Sequence, residues 1–73
     1  MTDVAKEAAR LRAKFNAERL NLEQIAYWLG FDRKTAERKI SHLPYFDDGA
    51  KRYEVTVIAE YVIAHTMKGE INT

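Results

Sequence analysis

The segment from Leu22 to Ile40, LEQIAYWLGFDRKTAERKI, constrains this chain more than any other. Apolar residues recur at helical spacing on both sides of Gly30: Ile25, Ala26 and Leu29 before it, Ala36 and Ile40 after it. The spacing predicts two short helices meeting at a corner. Such a corner needs a positive φ, which glycine supplies most cheaply. Asn21 opens the first of the pair. Its side chain can accept from the amide of Gln24, and Gln24 can reach back, as in a capping box. Leu20 and Ile25 are placed as the hydrophobic staple around that cap. Ala26 is the small residue on which a steeply crossing helix can pack. Phe31 closes the turn, and Asp32 caps the next helix, expected from Arg33 to about His42. Pro44 then forbids further helix.

The flanks complete one domain over residues 1–73, since 73 residues hold no more than one. Thr2 or Asp3 can cap an N-terminal helix running to about Arg19, with Val4, Ala8, Leu11 and Phe15 on one narrow stripe. A stripe so narrow suits one neighbour, either the domain's own body or a partner chain. Residues 44–54 read as a β-hairpin. Tyr45 and Phe46 make one arm, Asp47-Asp48-Gly49-Ala50 the turn, and Lys51, Arg52 and Tyr53 the other arm. A closing helix is expected over 56–67 after a Thr56 cap. Its apolar residues cover nearly the whole circumference, so burial on more than one side follows. Residues 68–73 read as a tail. Trp28 is expected half-buried against the first or last helix, and Tyr45, Phe46 and Tyr53 are expected in the core.

Composition excludes several classes. With no cysteine, neither disulfides nor thiolate zinc sites are open to the chain. His42 and His65 are the two histidines, and they read as packed or capping residues. A metal site drawn from His42 with Asp47 or Asp48 has too few ligands. No apolar run approaches the roughly 20 residues that span a membrane, and the N-terminus lacks the apolar stretch of a secretory signal. A cytoplasmic protein is expected. No Ser-His-Asp set, cysteine nucleophile, phosphate loop or carboxylate pair in a plausible cleft is present, so neither an enzyme nor a cofactor is expected. The net charge of +1 says little about partners. Placement says more: Arg33, Lys34, Glu37, Arg38 and Ser41 point outward from the helix after the corner, with Lys39 at the boundary. A helix that follows a glycine corner and presents cations outward builds a DNA-reading helix-turn-helix.

IAYWLGFDRKTAERKI resembles the helix-turn-helix of the phage excisionase and mercury-resistance-regulator group of winged helices. Those proteins typically carry an alanine, a Leu-Gly corner, a capping residue, an Arg-rich start and a threonine before the core position. LPYFDDGAKRYEVTVIAEYV is similar to their wing and closing helix, and the small-terminase DNA-binding domain of tailed phages is similar over the same span, residues 20 to about 65. Lys39 stands where an aromatic is common in that group, and the N-terminal helix is extra to its usual compact form. The resemblance implies a mainly α fold with a small β-hairpin, a winged helix-turn-helix with an added N-terminal helix. It also implies a third helix lying in the major groove. Arg33, Lys34 and Arg38 would meet base edges or phosphates, with Glu37 beside the bases. Lys51 and Arg52 would meet phosphate from the hairpin, and Thr35 and Ser41 would add neutral contacts. Asp47 and Asp48 argue against deep insertion of the tip.

The function implied is sequence-specific binding of double-stranded DNA by a phage or mobile-element protein, either an excisionase-like architectural factor or a small transcriptional regulator. The partners would be the duplex, a recombinase or integrase, and further copies of the chain on DNA, with no membrane. The competing expectation is a winged-helix interaction or oligomerisation module, such as an anti-repressor or a small-terminase subunit.

Overall fold

A computed structural model describes residues 2–66. Their order is α1 (Asp3–Phe15), β1 (Arg19–Leu20), α2 (Leu22–Leu29), α3 (Arg33–Ile40), β2 (Phe46–Asp47), β3 (Lys51–Glu54) and α4 (Val55–Thr66). The fold is mainly helical with a small three-stranded antiparallel sheet, ordered β1-β3-β2. Met67 and the expected tail at 68–73 lie outside the described residues.

The central corner forms as its residues dictate. Asn21 accepts from Gln24 N at 2.8 Å, and Gln24 Oε1 accepts from Asn21 N at 3.0 Å. Gly30 stops α2 at φ 79°, and its amide donates to the Ala26 carbonyl. Asp32 caps α3 by accepting from Thr35 N at 2.9 Å. Ile25, Leu29, Ala36 and Ile40 are all buried along the seam.

The N-terminal helix is shorter than expected. Asn16 takes the left-handed conformation at φ 51°, and its amide donates to the Arg12 carbonyl, which ends α1 four residues early. Asparagine enters that region more readily than other non-glycine residues. Arg19, expected at the helix end, joins Leu20 in strand β1 instead, paired Arg19 with Glu54 and Leu20 with Tyr53. The expected hairpin is therefore two thirds of a sheet, and α1 is no appendage. Ala8 and Leu11 are buried, and α1 packs chiefly along α4. Each such fully buried leucine or isoleucine contributes about 1.5–3 kcal/mol.

Beside the apolar stripe, α1 also sends Glu7 inward. The carboxylate is almost fully buried. It accepts from Trp28 Nε1 at 2.7 Å and pairs with Arg10 at 3.3 Å. A buried charge is tolerable when it is hydrogen-bonded and paired in this way. The bond ties α1 to α2 beside the Phe15 ring, which meets Trp28 edge-on at 6.0 Å.

Two further boundaries differ. α3 ends at Ile40, so His42 lies beyond it. α4 begins at Val55 rather than after a Thr56 cap. The Val55 amide donates to the Glu18 carbonyl at 2.9 Å, so β3 runs directly into the helix, while the Thr56 hydroxyl turns back to Glu54. Buried Val55, Ile58, Ala59, Tyr61 and Val62 share one broad arc of α4, with Val57 and Ile63 half-buried at its edges and Ala64 exposed.

Candidate nucleic-acid interface

The faces of α3 follow from which residues it buries. Ala36 and Ile40 point inward, so the 3.6-residue period puts Lys34, Arg38 and Ser41 on the outward crest. All three are exposed. Arg33 and Glu37 occupy the flank nearer the hairpin. With Asn21, Leu22, Glu23, Gly49, Ala50 and Lys51 they line a depression of about 350 Å³. Thr35 and Lys39 are half-buried on the other flank, where Lys39 Nζ lies 5.3 Å from the centre of the Phe31 ring.

Electrostatics divides these groups. Neither Lys34 nor Arg38 lies within 4.0 Å of a carboxylate among the described residues. Arg33 Nη1 is 4.0 Å from Glu23 Oε1, with both side chains largely exposed. A pair so open to water is worth little and is easily exchanged for another anion. The Asp32 carboxyl is held below its usual range by hydrogen bonds from the Thr35 side chain and amide, helped by the nearby Arg38 cation. Thr35 is therefore engaged in the cap of α3, and the Ser41 hydroxyl donates to the Arg38 carbonyl at 3.1 Å. A hydroxyl has one proton to give, so a contact from Ser41 to phosphate requires that bond to be exchanged.

The sheet separates the two cations expected of the hairpin. Cross-strand partners share a face, and successive residues alternate. Tyr53 and its partner Leu20 are buried, which defines the inner face. Lys51 and Asp47 share that face, and Lys51 Nζ lies 5.0 Å from the Tyr45 ring centre. Arg52, Glu54, Phe46 and Arg19 stand on the outer face. Lys51 thus joins Arg33 and Glu37 at the depression beside α3, whereas Arg52 points away from it.

Of the three aromatics expected in the core, only Tyr53 is there. Tyr45 and Phe46 remain 42% and 40% exposed, because the short β2 has no layer packed over it. Trp28 is half-buried against α1, as expected. His42 is exposed, and His65 stacks on Tyr61 with ring centres 4.0 Å apart. Among the described residues no group of three or more potential ligands could hold a metal, and no helix is long and apolar enough to cross a membrane.

Arg19 was placed on a helix by its sequence, away from the site; the fold sets it beside Arg52 on the sheet. The signal that the helix stops short of it is Asn16, a residue that accepts the left-handed region. Compared with models of known families, with curated proteins and with solved structures, the chain matches none.

Proposed function

We propose that this chain binds double-stranded DNA sequence-specifically, with α3 entering the major groove. One observation carries the reading. Lys34 and Arg38 crown a short helix set by a glycine corner, with no carboxylate within 4.0 Å among the described residues. The crest would meet the groove floor and one backbone, and Arg33 and Lys51 would add cations beside the hairpin. Arginine can grip guanine O6 and N7 through two parallel hydrogen bonds, and Glu37 can accept from cytosine N4. The role is that of an excisionase-like architectural factor or a small transcriptional regulator, working with a recombinase or with further copies of itself, and not that of an enzyme.

The test is anisotropy of labelled duplexes selected from a random pool, repeated across salt concentrations. If Arg33, Lys34, Arg38 and Lys51 each neutralise one phosphate, the log–log slope is about −3 to −4. Arg38→Ala is expected to lower affinity by about 1–3 kcal/mol where it reads a base. Arg33→Ala is expected to cost less than Arg38→Ala, because the wild-type arginine must first leave Glu23. A flat salt response, or full binding by both variants, rejects the reading.

A second reading draws on exposed apolar surface. Tyr27 is 68% exposed on α2, and Pro44, Tyr45, Phe46 and Val57 line a shallow depression. These suit a protein-interaction module, which would form a stable complex with no dependence on duplex.

A further inference from the structure

The arginines on the outer face of the sheet take no part in the depression beside α3. We propose that Arg19, Phe46 and Arg52 form a second backbone-contact site, holding a phosphate of the same duplex beyond the segment that α3 reads. The inference rests on the DNA-binding reading and extends it to a strand outside the helix-turn-helix.

Arg19 stands directly across from Glu54 in the ladder, where opposite charges ordinarily attract. Yet no carboxylate lies within 4.0 Å of its guanidinium among the described residues. The group lies over the Phe46 ring instead, 3.9 Å from its centre, while Glu54 Oε2 accepts from the Thr56 hydroxyl at 3.4 Å. Contact with the ring restrains the guanidinium, and none of its nitrogens is paired with a carboxylate among the described residues. A planar fork held in that way matches two oxygens of a phosphate, with less entropy to lose than a free arginine.

Arg52 is the cross-strand neighbour of Phe46 on the same face. Two arginines thus share the outer face with one exposed ring, each without an ion-pair partner among the described residues. The hairpin carries Lys51 on one face and Arg52 on the other, so cations face both ways across a single layer of strands. That arrangement suits a hairpin lying beside a groove with a phosphate ridge on either side. Asp47 and Asp48 at the tip repel phosphate, so the faces make the contact and the tip stays back.

The experiment uses two duplexes carrying the selected sequence, one ending at the α3 segment and one extending a further helical turn past it on either side. Anisotropy is measured across salt, with thermal melts showing that each variant is folded. Arg19→Ala is expected to bind the long duplex about 10-fold more weakly and to reduce the magnitude of its salt slope by about 1, with the short duplex unaffected. Phe46→Leu keeps every charge. It is expected to lose several-fold affinity for the long duplex with its slope unchanged, because the fork is no longer held. Should Arg19→Ala fail to fold, Arg19→Lys keeps the charge without the planar fork, and a several-fold loss on the long duplex alone is the supporting result. Unchanged long-duplex binding in a folded Arg19 variant, or an equal loss on both lengths, overturns the second site. Loss in Arg38→Ala with none in Arg19→Ala overturns this site alone. Failure of the unaltered protein to bind either duplex overturns the DNA-binding reading with it.

Discussion

Replacing Tyr53 with phenylalanine should make this domain more stable. Tyr53 is 1% exposed, and its hydroxyl oxygen is buried with no hydrogen-bond partner among the described residues. An unpaired buried hydroxyl costs about 1–3 kcal/mol on the scale of protein mutations. Phenylalanine keeps the ring, which lies across from Leu20 and meets the Tyr45 ring at 5.7 Å. The substitution forfeits only the dispersion contacts of one oxygen, at about 0.1–0.2 kcal/mol per atom pair. The net expectation is a gain of about 1 kcal/mol, or about 4–8 °C in Tm for a domain of this size. The same group governs the alkaline limb. Burial raises the Tyr53 pKa above its ordinary 10.0, and Tyr45 and the Glu37 carboxylate push the same way. A raised folded pKa means its contribution is intact below the unfolded value and declines as pH climbs through the folded one. Thermal melts at neutral pH and urea titrations above about pH 10 measure both effects. Tyr53→Phe should melt higher and lose less stability in alkali. A Tm several degrees lower would refute the reasoning, because it would mean that the hydroxyl is hydrogen-bonded in solution.

Other expectations concern the helix ends. Gly30→Ala should destabilise by about 1–2 kcal/mol in chemical denaturation, because φ is +79° while an added Cβ meets nothing within 4 Å; an unchanged midpoint would remove strain as the reason for glycine there. Asn21→Ala breaks both bonds of the capping box and should cost about 0.5–2 kcal/mol, read from the same titration. The lowered Asp32 pKa contributes stability above the ordinary carboxylate value, which is lost as pH falls below about 4. Asp32→Asn still caps but does not titrate, so its acid unfolding should be shallower in that window; identical acid limbs would dismiss the cap as their source.

The local signals were the legible part of the sequence. The capping box at Asn21, the Gly30 corner and the Asp32 cap each depend on neighbours within a few residues, and each formed where expected. β1 was not legible, because a two-residue strand has no periodicity and exists only through its pairing with β3. The inward turn of Glu7 depends on Trp28, 21 residues away, so the helical stripe alone marked it as solvent-facing. At the candidate interface, the outward residues of α3 followed from Ala36 and Ile40. Lys51 and Arg52 were grouped as one contact because they are adjacent in sequence, and the pleat of the sheet divides them. Phe46 was expected inside by hydrophobicity, but a short edge strand offers nothing to cover it.

The turn at Asp48, Gly49 and Ala50, with Gly49 at φ 87°, fixes more than the bend of the chain. It sets the register of β2 on β3, whose own inward face is held by β1, so adding or deleting a single residue there would exchange the two sides of β2. Asp47 would take the outer place of Phe46, and the ring would leave the Arg19 guanidinium. The spelling of three small loop residues thus holds the chemical polarity of β2, which makes the loop's length far less free to drift than surface loops usually are.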